Sequence, residues 1–155
     1  MSIKSDVADA VVAELNATEF SIKFVAERVH GKAQLQLTNL DCLRVEVFPV
    51  GTTLGLADRG SAGHEVTIDI VIRKKLGPQE ADQATGEVEL EPIDELDNLT
   101  EEIGIHFQPE QPDRTGRLAE YEDAAWLSGR ILSGYGFDKD RTQIYMGQVR
   151  LVFDV

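Results

Sequence analysis

Few side chains in this sequence have the types and spacings that do chemistry. Its three histidines, His30, His64 and His106, are scattered, with no HExxH pair and no second ligand at zinc spacing. Cys42 is the only cysteine. It stands beside Asp41, its nearest cation is Arg44 two positions on, and it reads as a buried or half-buried thiol, not a nucleophile. A lone cysteine allows no intramolecular disulfide, and nothing points to an oxidising compartment. The serines of "RGSAGH" and "LSGYG" lack the GxSxG elbow that follows a strand in hydrolases. Neither GxxxxGK[ST] nor GxGxxG is present to cradle a phosphate. The sequence therefore predicts no catalytic residue, no metal ligand and no cofactor.

What remains is charge and aromatic placement. Glu87, Glu89, Glu91, Glu101 and Glu102 belong to a stretch dense in carboxylates. Without the DxDxDG spacing of a calcium loop, it reads as a solvated helix face and its approach. Arg73, Lys74 and Lys75 form a cationic knot that either protects a strand edge or docks onto the acidic surface of an identical neighbour. Tyr121 and Trp126 stand in a Gly-rich region, as a satellite core beneath a loop or as an interface anchor. The formal net charge of −13 disfavours a conventional nucleic-acid binder, which gains affinity by releasing counterions through Lys and Arg. It suits a wall that DNA slides past without sticking.

The elements that must position these groups follow from periodicity. In "HEVTIDIVIRKK", Val66, Ile68, Ile70 and Ile72 alternate with Glu65, Thr67, Asp69 and Arg73, the period of a strand with one face in a core and the other wet. A helix is predicted from about Ser5 to Leu15, capped by Ser5, with Val7, Val11, Val12 and Leu15 on one stripe. "FSIKFVAE" reads as a strand; residues 30–41 fit an edge strand or an irregular connection equally well. Leu43, Val45 and Val47 mark a further strand ending at Phe48-Pro49, and "VGTTLGLADRGSAG" reads as a long hairpin loop or a hairpin whose strands extend well beyond the core, an extended, mobile arm over about 51–63. After the linker "LGPQEADQATGEVELEP", Pro92 fits the first turn of a helix striped with Ile93, Leu96, Leu99, Ile103 and Phe107. Gly104 should fray that helix, at about 1 kcal/mol relative to Ala. Residues 108–141 read as loops with one short helix near Tyr121 to Leu127, and "IYMGQVRLVFDV" as a C-terminal strand.

Assembled, these elements predict one α+β domain. It is a two-layer sandwich with a four-stranded, mostly antiparallel sheet, two helices packed on one face, and long Gly-rich loops. With 155 residues the chain can bury a single core, and no apolar run is long enough to span a membrane.

"ADAVVAELNATEFSIKFVAER", "LRVEVFPVG" with "HEVTIDIVIRKKL", the helix "DELDNLTEEIGIHF", and a late Trp before "MGQVRLVFDV" resemble small neck proteins of long-tailed bacteriophages. The likeness is greatest to the tail terminator, or tail completion, class. It implies a non-enzymatic virion component, assembled in the host cytoplasm as a homo-oligomeric ring, usually of six copies. Such a ring caps the tail tube protein, joins it to the head connector or head-closure protein, and lets DNA pass without specific binding. On that likeness the adjacent subunit would meet Arg59, Glu65, Thr67, Asp69, Arg73, Lys74 and Lys75, in a head-to-tail contact that closes into a ring. The acidic cluster would be solvated or would line the channel. The family offers no catalytic residue to carry over. A head-tail connector or minor tail protein would share the ring logic. An acidic host-directed binding module would instead show evenly spaced carboxylates along one exposed face.

Overall fold

The protein is described here by a computed structural model covering residues 2–29, 43–58, 61–75, 90–109, 116–137 and 143–155. The first helix, α1 (Ile3–Ala17), begins two residues before the predicted start because Ser2, not Ser5, is its cap: the Ser5 backbone N–H donates to the Ser2 hydroxyl at 3.3 Å. It buries Val7, Ala8, Ala10, Val11 and Leu15. At its exit Asn16 accepts from the Ala26 N–H at 2.7 Å and donates to the Ala26 carbonyl at 3.2 Å, which pins β1 (Ala26–Arg28) beside it.

Between these elements the strand expected over "FSIKFVAE" is absent except for its end. Phe20, Ile22 and Phe24 lie on an irregular segment and still pack against the core. Phe20 and Phe24 stack at 5.4 Å, and Glu102 of the second helix accepts from the Ser21 hydroxyl and N–H at 2.7 and 3.2 Å. Alternating apolar residues are thus served by a loop laid over a core as well as by a ladder.

β2 (Arg44–Asp58) and β3 (Ser61–Lys75) form a long antiparallel hairpin. The strand expected to stop at Pro49 continues because a register shift at Val50 lets a residue without an N–H sit in the ladder. Of the two forms expected for the arm, the extended hairpin is the one present, with Leu54 opposite His64 and Asp58 opposite Ser61. α2 (Leu90–His106) includes Pro92 near its start and runs through Gly104 without ending. A Cβ on Gly104 would lie 2.6 Å from Ile131 Cδ1, so glycine there lets helix and sheet approach closely.

The largest departure follows. The expected loops with a short helix near Tyr121 are β4 (Arg117–Leu118) and a 17-residue strand, β5 (Tyr121–Phe137), paired antiparallel with β6 (Gln143–Asp154). The sheet is accordingly not four-stranded. It has six strands in the order β1-β2-β3-β6-β5-β4, it is mixed because β1 runs parallel to β2, and it curls into a half-barrel. α1 packs chiefly over β2, β1 and β3, and α2 over β6 and β5. Both helices bury their stripes in one cluster with Val45, Val47, Val66, Ile68, Ile70, Ile72, Val149, Leu151 and Phe153. No helix among the described residues is long and apolar enough to cross a membrane.

Candidate functional site

The core claims one face of the central strands, and alternation sends the other set of side chains to the opposite face. Register places Arg44, Glu46 and Phe48 of β2 beside Arg73, Val71 and Asp69 of β3. Met146, Gln148 and Arg150 of β6 follow, then Arg130 and Leu132 of β5. This is the face expected to be wet. Towards β2 it is not: Glu46, Asp69 and Arg73 are all buried.

Burying charge requires partners, and each has one. Arg73 donates through Nε, at 3.1 Å, and through Nη2 to the same Glu46 oxygen, with side chains 2% and 4% exposed. Asp69 accepts from Arg150 Nε and Nη2 at 2.8 and 2.9 Å, a fork-to-carboxylate contact, and from Gln148 at 3.1 Å. The hydrogen bond and charge of Asp69 hold the Arg150 guanidinium pKa above its ordinary value. Two of the expected interface residues, Asp69 and Arg73, thus face inward electrostatically, satisfied within their own chain.

The others are scattered around this network. Glu65 is exposed and Thr67 half-buried on the same strand. Lys74 and Lys75 are half-buried, Lys74 opposite Tyr145 and Lys75 opposite Ile144. Of the acidic cluster, Glu101 is exposed on α2, Glu102 is tied to Ser21, and Glu91 lies in the helix's first turn. Arg59, Glu87 and Glu89 lie outside the described residues, as do His30, Cys42, the 30–41 stretch and most of the linker. Tyr121 and Trp126 pack against the core from β5, and the Trp126 indole N–H is buried with no hydrogen-bond partner among the described residues.

Sequence reasoning missed a second polar group, on the helix side. Tyr145 is fully buried, and its hydroxyl donates to Asp97 Oδ1 at 2.7 Å. It also lies 2.9 Å from the Thr100 hydroxyl, which donates at 2.8 Å to the Leu96 carbonyl. Burial above all pushes the phenol far above its usual range; the Thr100 hydrogen bond, next in size, opposes it, and the Asp97 hydrogen bond and the charges of Asp97 and Glu101 add to it. A tyrosine so held keeps its proton; it braces α2 against β6. Tyr145 was legible only as one apolar position in an alternating strand.

Chemistry is sparse elsewhere too. Among the described residues, a cleft of about 740 Å³ is lined by the stretch from Asn16 to Val25, with Glu19 and Lys23 as the ionisable groups there. His106 Nε2 meets Glu14 Oε1 at 3.2 Å, within an aromatic row from Phe20 (5.6 Å) to Phe107 (5.1 Å). Among the described residues no group of three or more His, Cys, Asp or Glu could hold a metal ion. What the exposed surface does carry is apolar area on strands, at Leu54, Leu127, Leu132 and Met146. No family model matches the sequence and no curated protein matches it.

Proposed function

We propose that this chain is a structural subunit of a phage neck ring, one that terminates the tail tube and joins it to the head connector. The observation that carries the reading is the outer part of the β2–β3 hairpin. β6 pairs with β3 only as far as Glu65, and the Val155 N–H closes on the His64 carbonyl at 2.9 Å. Beyond that point, among the described residues, 54–58 pair only with 61–64, as a ribbon past the end of β6. An isolated two-stranded ribbon is marginal in water, and this one carries Leu54 at 73% exposure. Such an arm gains most by lying on another subunit. The resemblance of the sequence stretches quoted above to tail terminators supplies the kind of assembly, and −13 suits a channel wall that must not hold DNA.

The test is reconstitution. Purified protein is added to tail tubes polymerised from the cognate tube protein, and tube ends are imaged by electron microscopy. Discrete rings capping one end of the tubes are expected. Tubes that stay uncapped and keep elongating at saturating protein would refute the reading.

A further inference from the structure

On the face opposite the helices, the part nearest β5 differs from the buried network beside it. Arg130 stands directly opposite Arg150 in the ladder, and both are exposed. Like charges across a strand pair oppose each other, and an internal acid should relieve them. Asp69 relieves only Arg150. Arg130 engages no carboxylate among the described residues. Next to this pair, Leu132 and Met146 lie on the same face at 47% and 48% exposure. Two cations beside two bare apolar side chains, in a chain of net charge −13, form a surface suited to an acidic partner that also carries an apolar group.

The same chain presents that chemistry on its other side. α2 turns Asp94, Asn98, Glu101 and Ile105 to solvent as one stripe at four-, three- and four-residue spacing, with Glu95 beside it. Ile105 is 55% exposed. The spacings match: Glu101 to Ile105 is about 6 Å along a helix, and Arg130 to Leu132 about 7 Å along a strand. Because α2 packs on the core face of β5 and β6, its stripe and the arginine patch lie on opposite sides of the molecule. They cannot meet within one chain.

We propose that the patch formed by Arg130, Leu132, Met146 and Arg150 seats the Asp94–Ile105 stripe of α2 from a second copy of this chain. Glu101 pairs with Arg130, and Ile105 covers Leu132 and Met146. The contact joins unlike surfaces, so it leaves a free patch and a free stripe at either end and propagates until rotation closes it. For that closure, and for the identity of its occupant, the inference rests on the ring reading above.

Sedimentation velocity over a concentration series tests it, on the wild type, Arg130→Glu, Glu101→Arg and the double exchange. Self-association of the wild type is expected, weakening as salt rises. Each single reversal should raise the half-assembly concentration about tenfold or more, and the double exchange should restore it. Both residues are exposed, so unchanged urea midpoints will confirm that all variants fold. A wild type that stays monomeric throughout, or reversals that assemble as the wild type does, would overturn the proposal. Capped tubes with indifferent reversals would refute this contact and spare the neck reading. Assembly that follows the charge exchange while tubes stay uncapped would do the opposite.

Discussion

The Glu46–Arg73 pair offers the sharpest test of how the polar sheet face is built. With side chains 4% and 2% exposed and two guanidinium N–H groups on one carboxylate oxygen, the pair has almost no access to water. Replacing Glu46 by Leu strands a buried guanidinium, and replacing Arg73 by Met strands a buried carboxylate. Either change should cost about 3–5 kcal/mol, roughly a fifth or more of a typical domain's stability. Replacing both leaves apolar residues of similar volume and no orphan charge, so the double variant should fall within about 1–2 kcal/mol of the wild type or above it. The corresponding coupling energy is large, about 3 kcal/mol or more. Equilibrium urea unfolding followed by circular dichroism measures all four corners of the cycle. If either single change cost less than about 1 kcal/mol, water would have to reach the pair, and Arg73 would again be open to a role between subunits.

Two further predictions concern the group between α2 and β6. Because the folded state raises the Tyr145 phenol, the stability it contributes is fully present below its unfolded value of about 10 and is lost as pH rises beyond that. Tyr145→Phe should lose about 1–2 kcal/mol at neutral pH and show a smaller further loss in alkali, read from urea midpoints across the pH range. A Cβ on Gly147 would come within 2.5 Å of Thr100 Oγ1 and 3.1 Å of the Tyr145 hydroxyl, so Gly147→Ala should cost about 1–3 kcal/mol, with thermal unfolding as the measure.

The stretches legible in the sequence were those where one period ran uninterrupted. Val66, Ile68, Ile70 and Ile72, and Val149, Leu151 and Phe153, recur at every second residue and form the centre of the sheet; Val71 and Val152 break the alternation only on the other face. Ile93 to Phe107 keeps a helical stripe, and Gly104 does not interrupt it because tertiary contact with Ile131 rewards the missing side chain. β5 was hidden for a physical reason. Ser128 and Gly129 dilute its pattern, and a bulge between Trp126 and Ser128 shifts its alternation by one. Losing β5 also meant losing Arg130 and Leu132 as surface residues. The error over Phe20 to Phe24 ran the other way, since alternation alone cannot separate a strand from a loop lying along a core. Burial of Asp69 and Arg73 was out of reach because their partners, Arg150 and Glu46, are 81 and 27 residues away.

The two hairpins divide the molecule's ends as the two faces divide its sides. β3 and β6 run antiparallel, so the Asp58–Ser61 end of the β2–β3 pair lies past Val155, whereas the Phe137–Gln143 end of the β5–β6 pair lies at the Lys75 end of β3. A subunit with unlike ends and unlike sides can contact different partners along an axis while meeting copies of itself around it, which is the geometry the neck reading requires. The two proposals then constrain each other over charge. If Glu101 is spent on Arg130 of a neighbour, it is removed from the channel wall, and repulsion of DNA must come from acids outside that contact. Assembly should therefore weaken with salt, while indifference to DNA should survive the Glu101→Arg/Arg130→Glu exchange, because that exchange leaves the net charge unchanged. DNA retained by the exchanged ring but not by the wild type would place Glu101 on the channel instead.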